Sequence, residues 1–279
     1  MIKIGFDKSN EARISLRGAF VQSLTLDGVP ILYMRKDRIR WCLLHGGSCV
    51  LIPYVDLVKN ATYFYHGQRY FLPKNGKPEG DSINSIHGLV LNKNWELMKQ
   101  TVEGAVLNTT LVNSGYPSKL KIQASYSIRD RLFTTRFRIR NIGKHTAPLM
   151  CGAHPYFIFT KWWELKCSKP IKHIKKYDSD EPEITTEDCS SINSHSSSKL
   201  DEYYEGGGDL RLLSEDREIE IRRTNMPFFG VYNGIYAGQS SVNIKVITSA
   251  PNCFNNKYGV IDIKPNQIIN CGFTLRLIH

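Results

Sequence analysis

Apolar and polar residues alternate with a period of two along much of this chain. The segment LKIQASYSI shows the pattern clearly, with these residues on one face: Leu120, Ile122, Ala124, Tyr126 and Ile128. The segments LFTTRFRIRN and REIEIRR repeat it, and GVIDIKPNQIINCGFTLRLI predicts two more strands around a turn at 265–267. Because the side chains of a strand point alternately to its two faces, the pattern predicts many strands with one solvated face.

Amphipathic helical periodicity is hard to find anywhere in the sequence. Many strands separated by Gly, Asn and Pro turns favour a sandwich or a barrel over alternating strand–helix units. We therefore predict an all-β fold in which helix is confined to a turn or two. We also expect a single domain that spans residues 1–279.

Residues 178–209 interrupt the alternating pattern. This segment is acidic, rich in serine and poor in aliphatic side chains, which predicts a long polar loop. It nevertheless contains LDEYY, which surrounds Asp201 with apolar and aromatic residues. A purely solvated linker has no need for such an anchor, so we expect the loop to border a binding site.

Composition narrows the possible functions. An apolar fraction of 41% in 279 residues supports a sizeable core, and no apolar run is long enough to span a membrane. The N-terminus lacks the apolar stretch of a secretory signal, so we expect a cytoplasmic protein with no membrane partner. The net charge is +11, but Lys and Arg are spread along the chain without a nucleic-acid-binding motif. A solvated basic surface is therefore favoured over a nucleic-acid partner.

The seven cysteines are scattered, and no C-x-x-C pair is present. This spacing argues against a zinc site. In a reducing compartment we expect free thiols, most of them buried.

Two histidines are candidates for acid–base chemistry. The apolar segment CGAHPYFIF contains one ionisable side chain, His154, and Pro155 restricts it to an extended backbone at a strand or its edge. His87 is followed by Gly88, which allows the backbone to turn and the imidazole to project into a cavity. Taken singly, each histidine is also compatible with a structural role, and Asp201 with capping of a turn.

Together with the motifs around them, these residues resemble the aldose 1-epimerase (galactose mutarotase) family. The resemblance covers most of the chain and rests on these segments, in order: LIPYVDLVKNATYFYHGQRYFLP, HGLVLNKNW, RIRNIGKHTAPLMCGAHPYF, Leu200-Asp201 and Val231-Tyr232. The HPYF and HG segments are the most specific of them.

The resemblance implies a galactose mutarotase-like fold, a large antiparallel β-sandwich with a sugar-binding cleft on a concave sheet face. It implies an isomerase that interconverts the α and β anomers of a hexose, with no cofactor or metal. In that reaction His154 is the general acid that protonates the ring oxygen, and His87 binds the sugar near the same oxygen. Asp201 is expected to hydrogen-bond sugar hydroxyls, and Tyr156 and Trp95 to contact the sugar. We expect a monomer or a homodimer.

The sequence departs from the family at two positions. The family's arginine in the early segment corresponds to Leu57, and its late-strand glutamate, the general base, corresponds to Lys245 or, in another alignment, Ala250. Three interpretations remain open: an epimerase with another base, a sugar-binding protein without catalysis, and an epimerase of a phosphorylated or otherwise anionic sugar bound by Lys245. The candidates for another base are Asp56, Asp178, Asp201 and Glu202. If lysine has displaced the base, Lys245→Glu is expected to raise the rate.

Overall fold

The computed structural model describes residues 1–34, 45–75, 83–187, 191–193 and 199–279. In the first half of the chain the strands are β1 (Ile2–Ile4), β2 (Glu11–Ile14), β3 (Val21–Leu26), β4 (Val29–Pro30), β5 (Val50–Leu51), β6 (Leu57–Val58), β7 (Thr62–Tyr65), β8 (Gln68–Phe71), β9 (Ser85–Ile86), β10 (Glu96–Gln100), β11 (Gly104–Leu111), β12 (Leu120–Arg129) and β13 (Leu132–Asn141).

In the second half the strands are β14 (Ala147–Leu149), β15 (Gly152–Ala153), β16 (Tyr156–Ile158), β17 (Trp163–Cys167), β18 (Ile171–Lys175), β19 (Glu183–Glu187), β20 (Ser191–Asn193), β21 (Asp201–Gly206), β22 (Leu210–Ser214), β23 (Glu218–Thr224), β24 (Phe228–Tyr232), β25 (Ser241–Ile247), β26 (Ile261–Ile263) and β27 (Ile268–Leu277). Within the described ranges, helix is limited to a 3₁₀ turn, Lys59–Ala61, and one short helix, α1 (Cys253–Asn256). The prediction of an all-β fold is confirmed.

Two large antiparallel sheets form the body of the protein. One has the strand order β10-β11-β12-β13-β27-β23-β22-β17-β20. The other, which we call the site sheet, has the order β19-β18-β21-β24-β25-β15-β5, with β16 also pairing with β25. A smaller sheet joins β1 to β4 in order, and the pairs β14-β26, β6-β9 and β7-β8 flank these sheets.

The alternating segments form strands as predicted, and their apolar faces meet in one core. On β12 and β13 the inward residues are buried: Leu120, Ile122, Ala124, Tyr126, Ile128, Phe133, Thr135, Phe137 and Ile139. They join buried residues of the site sheet, such as Phe229 and Val246, in a continuous hydrophobic cluster. Burial of an apolar face on each sheet is what holds a sandwich together.

The prediction of a long loop at 178–209 is wrong for most of the described part of that segment. It contains β19, β20 and β21, of which β19 pairs with β18, and β21 lies between β18 and β24. The positions 188–190 and 194–198 lie outside the described residues. A polar sequence becomes a strand here because neighbouring strands supply its backbone hydrogen bonds, and local residue preference is too weak to prevent this.

The pattern of one buried and one solvated face does not hold for β25. All seven residues of β25 are buried, because one face packs on the core and the other lies under the residues of the candidate site. Central strands covered on both faces lose the simple apolar–polar contrast.

Five cysteines lie in the described part of the chain, and all five are free thiols: Cys49, Cys151, Cys167, Cys253 and Cys271. All of them except Cys167 are buried. Cys42 and Cys189 lie outside the described residues. None of the described helices has the length and apolar character needed to cross a membrane.

We predict that Phe137→Ala destabilises the fold by about 3–5 kcal/mol, because it leaves a cavity in the core under β13. The phenylalanine is only 1% exposed. The neighbouring Arg138→Ala, on the exposed face of the same strand, is the control and should change the free energy of unfolding by less than about 0.5 kcal/mol. Urea denaturation of both variants measures the difference, and equal effects would contradict the assignment of the two faces.

Candidate active site

The register of the site sheet aligns the candidate residues in a row. Tyr203 on β21 pairs with Gly230 on β24, which in turn pairs with Lys245 on β25. A Cβ atom at Gly230 would lie 2.7 Å from the Tyr203 ring and 3.3 Å from the Lys245 side chain. Glycine at this position therefore leaves the space in which the tyrosine and the lysine meet.

His154 continues this row beyond β25. Its backbone N–H donates to the carbonyl of Cys49 (3.1 Å), and the carbonyl of the following Pro155 accepts from the backbone N–H of Ile244 (3.2 Å). These bonds keep the segment between β15 and β16 extended against β25 and place His154 beside Lys245. The prediction that proline fixes His154 at a strand edge is thus confirmed by its location.

A second row lies one step away on the same face. Asp201 pairs with Tyr232, Tyr232 with Asn243, and Asn243 with Tyr156. Asp201 is the first residue of β21 and not part of a loop. Because residues two apart share a face, Asp201 and Tyr203 point to the same side of the sheet, whereas Glu202 points to the other.

Asp56, just before β6, and His87, just after β9, lie over this face. β6 and β9 pair with each other, and this brings the two residues together. The Asp56 N–H donates to Nδ1 of His87 (3.2 Å), and the His87 N–H donates to the carbonyl of Asp56 (2.8 Å). Both residues have left-handed backbones, with φ of 56° and 60°. Such a conformation costs roughly 1–2 kcal/mol per residue, which these reciprocal bonds offset.

Gly88 explains why the chain can turn directly after His87. Its φ is 81°, and a Cβ atom would lie 2.4 Å from the carbonyl oxygen of Ile52. A side chain at this position would collide with backbone, so the close approach of the two segments requires glycine.

The two histidines form an edge-to-face pair. Their ring centroids are 5.0 Å apart, and the His154 ring lies 5.1 Å from that of Tyr156. Burial lowers the pKa of His154 well below 6.5, and the neighbouring His87 and Lys245 lower it further. Burial, and then the charge of Lys245, likewise lower the pKa of His87. Both rings are therefore neutral at pH 7.

The hydrogen bond from Asp56 fixes the tautomer of His87. In a neutral imidazole one nitrogen accepts and the other carries the proton. Because Nδ1 of His87 accepts the Asp56 N–H, its Nε2 carries the proton and is a donor. Nδ1 of His154 is buried and has no hydrogen-bond partner among the described residues.

Lys245 lies between two carboxylates, although its side chain is only 4% exposed. Its Nζ is 3.7 Å from Oδ1 of Asp56 and 3.5 Å from Oδ1 of Asp201. It also donates to the hydroxyl of Tyr203. Burial, followed by the charges of these two carboxylates, raises the pKa of Tyr203 well above 10, so the phenol keeps its proton.

The structure brings together His87, His154, Asp201, Lys245 and Tyr156. It places the sixth candidate, Trp95, in the hydrophobic core, 3% exposed, with its backbone N–H donating to the carbonyl of Leu16. Its burial in the core gives no support for contact with a sugar, so that role stays a prediction. Glu202, one of the alternative bases, faces the opposite side and contacts His173 at 2.6 Å.

Sequence reasoning missed His45. Its Nδ1 lies 3.4 Å from the hydroxyl of Tyr156, and its ring stacks on that of Tyr236 with the centroids 4.2 Å apart. The available signal was the glycine pair that follows His45, which is the same histidine–glycine pattern that singled out His87. Tyr203 was contained in the predicted LDEYY anchor, but only the register of β21 shows that it faces the site.

The site has the composition of an acid–base centre. It offers neutral imidazoles, two carboxylates, an ammonium group and phenolic hydroxyls on one face. Among the described residues, no group of three or more histidine, cysteine, aspartate or glutamate side chains is arranged to hold a metal ion.

The chain belongs to the aldose 1-epimerase family, whose sequence pattern matches residues 1–273. It is similar to an uncharacterized protein, YihR, of Escherichia coli (strain K12), with 25% identity over 260 residues, which are 88% of this chain and 83% of that protein.

Solved structures show the same fold. A GalM/aldose epimerase homologue from C. elegans has a TM-score of 0.81 at 16% identity and covers 100% of this chain and 98% of its own. A galactose 1-epimerase from Lactobacillus acidophilus NCFM has a TM-score of 0.75 at 15% identity and covers 99% and 93% of the two chains. The galactose mutarotase-like fold expected from the sequence is therefore confirmed.

The buried histidines make stability depend on pH. The unfolded chain binds protons at both residues below about pH 6.5, whereas the folded chain does not, because the pKa of each is lowered. The two histidines should therefore make their full contribution to the free energy of unfolding above about pH 6.5. That contribution should fall on acidification by at most about 1.4 kcal/mol per pH unit for each histidine.

Urea unfolding at neutral and mildly acidic pH measures this effect. His87→Asn, which keeps a residue tolerant of positive φ, and His154→Gln should each flatten the dependence. The exposed His66→Asn should leave it unchanged. A dependence of equal steepness in all four proteins would show that the two histidines are protonated in the folded state.

Proposed function

We propose that this protein interconverts the α and β anomers of a hexose by acid–base opening of the sugar ring. The observation that carries the proposal is the contact of His87 and His154, with ring centroids 5.0 Å apart, on a sheet face that also presents Asp56 and Asp201. Membership of the aldose 1-epimerase family supports it.

Anomer exchange needs an acid and a base on one sugar ring. A base removes the proton from the hydroxyl on C1 while an acid protonates the ring oxygen, and the open-chain form recloses on the other face. We assign protonation of the ring oxygen to His154, which is fixed on the sheet beside Lys245. We assign sugar binding to His87. Its Nδ1 accepts the hydrogen bond from Asp56, so its Nε2–H is the ring group that can donate to a sugar oxygen.

The protonation states of the histidines bear on the pH profile. Since the pKa of His154 is lowered, its cationic form, the stronger acid, becomes scarcer as the pH rises. The acceleration over the uncatalysed reaction is therefore expected to decline as the pH rises from the acidic side towards alkaline values.

The charges of the site favour a neutral sugar over an anionic one. The ammonium of Lys245 is shared by Asp56 and Asp201, so two carboxylates outweigh one cation around it. A phosphorylated sugar would have to displace one of them or approach an excess of negative charge. The alternative that Lys245 binds an anionic sugar therefore has no support from this geometry.

We predict that the protein accelerates anomer exchange of freshly dissolved α-galactose or α-glucose, measured by NMR exchange or polarimetry. His154→Ala should lower the rate by about 100- to 10,000-fold, because it removes the acid from the bond-breaking step. His87→Asn should have a smaller effect, mainly on KM, because this histidine positions the sugar.

The exposed His145→Gln is the matched control and should leave the rate unchanged. If the wild-type protein binds hexose but does not accelerate exchange, the correct interpretation is a carbohydrate-binding protein of this family without catalysis.

A further inference from the structure

We propose that Asp56 is the general base of this protein and that Lys245 is a positioning residue that holds its carboxylate in place. The assignment rests on the proposed function. It identifies the group that accepts the proton from the C1 hydroxyl in a chain whose late strand carries no carboxylate at position 245.

The position of Asp56 relative to the acid is fixed by backbone bonds. The reciprocal bonds to His87 hold the two residues together, and the ring of His87 contacts that of His154. One carboxylate and one imidazole thus flank the same face of the sheet at defined positions. Asp56 and His87, which face each other across the β6–β9 pair, both have left-handed backbones, and their reciprocal bonds keep this conformation in place.

The ammonium of Lys245 lies beside the carboxylate of Asp56. Lys245 Nζ lies 3.7 Å from its Oδ1, so the ion pair holds the carboxylate in position. Protonated Lys245 itself has no lone pair to accept a proton.

Asp56 fits the role better than Asp201 or Glu202. Its side chain is 15% exposed, whereas that of Asp201 is 48% exposed and lies on β21, two strands away from β25. Electrostatic and proton-transfer effects are stronger where water is excluded. Glu202 is excluded because it faces the opposite side of the sheet, where it contacts His173.

The arrangement explains both departures from the family pattern at once. The early segment, where an arginine was expected, carries the carboxylate of Asp56, and the late strand, where a glutamate was expected, carries the ammonium of Lys245. These two side chains contact each other, so the site still pairs a cation with a carboxylate. The carboxylate now comes from the early segment and the cation from the late strand. We therefore expect Lys245→Glu to lower the rate and not to raise it, because the change would place three carboxylates together without a cation.

The reaction balances without any co-reactant. Asp56 takes the proton from the C1 hydroxyl, and the electron pair of that O–H bond forms the C1=O1 double bond. The C1–O5 bond breaks, and its electrons go to O5, which takes a proton from His154. The aldehyde rotates about C1–C2, O5 attacks the other face, and both protons return to the groups that exchanged them.

The test measures kcat and KM for anomer exchange of galactose in the wild-type protein and four variants. Asp56→Asn keeps the shape of the side chain but removes the base, so kcat should fall by about 100- to 10,000-fold with KM little changed. Asp201→Asn should act mainly on KM. Lys245→Glu should lower kcat, and the control Glu202→Gln, on the opposite face, should keep the wild-type values.

Chemical rescue separates a base from a structural residue. Asp56→Ala should recover part of the lost kcat when formate is added, because the small carboxylate enters the space left by the side chain, while His154→Ala should not respond. Circular dichroism checks that each variant is folded, and formate rescue gives the answer should Asp56→Asn prove too unstable to assay.

The outcomes distinguish this assignment from the proposed function. A wild-type protein that accelerates no hexose would overturn the proposed function and the base together. An active wild-type protein whose Asp56→Asn variant keeps its kcat, or whose Lys245→Glu variant gains activity, would overturn the base alone.

Discussion

Lys245 carries a positive charge at the centre of a strand in which every residue is buried. Leaving such an ammonium unpaired costs several kcal/mol, so other elements must bring carboxylates to it. Asp56 comes from the segment before β6, Asp201 from β21, and Tyr203 from the same strand as Asp201. The requirement to pair one buried charge thus fixes the segment that carries His87 over the sheet.

The sheet supplies rigidity that loops could not give. Gly230 leaves room for Tyr203 and Lys245 to meet, and Gly88 allows the chain to pass close to Ile52. His154 is held by backbone bonds to the neighbouring strand. His154, Asp56 and His87 lie next to strands, and backbone hydrogen bonds hold them in fixed positions relative to the sheet.

The family relation and the geometry answer different questions. Membership of the aldose 1-epimerase family accounts for the fold. It says nothing about the contact of Lys245 with Asp56, on which our proposal for the base rests and which the tertiary structure alone shows. The cation and the carboxylate of an ion pair can exchange positions between two elements, because the electrostatic energy depends on the separation of the charges and not on which element carries each one.

The sequence by itself determined the strands whose alternation reflects one buried face, such as β12 and β13, and it located His87 and His154 through their neighbours Gly88 and Pro155. Those features are local, because period and backbone restriction act within a few residues. It could not show that 201–206 is a strand or that Trp95 is a core residue, because pairing partners and burial come from distant segments. The meeting of Asp56 with Lys245, 189 positions apart in the chain, and of His45 with Tyr156 was decided only by the tertiary structure, since long-range contacts leave no periodic trace in the sequence.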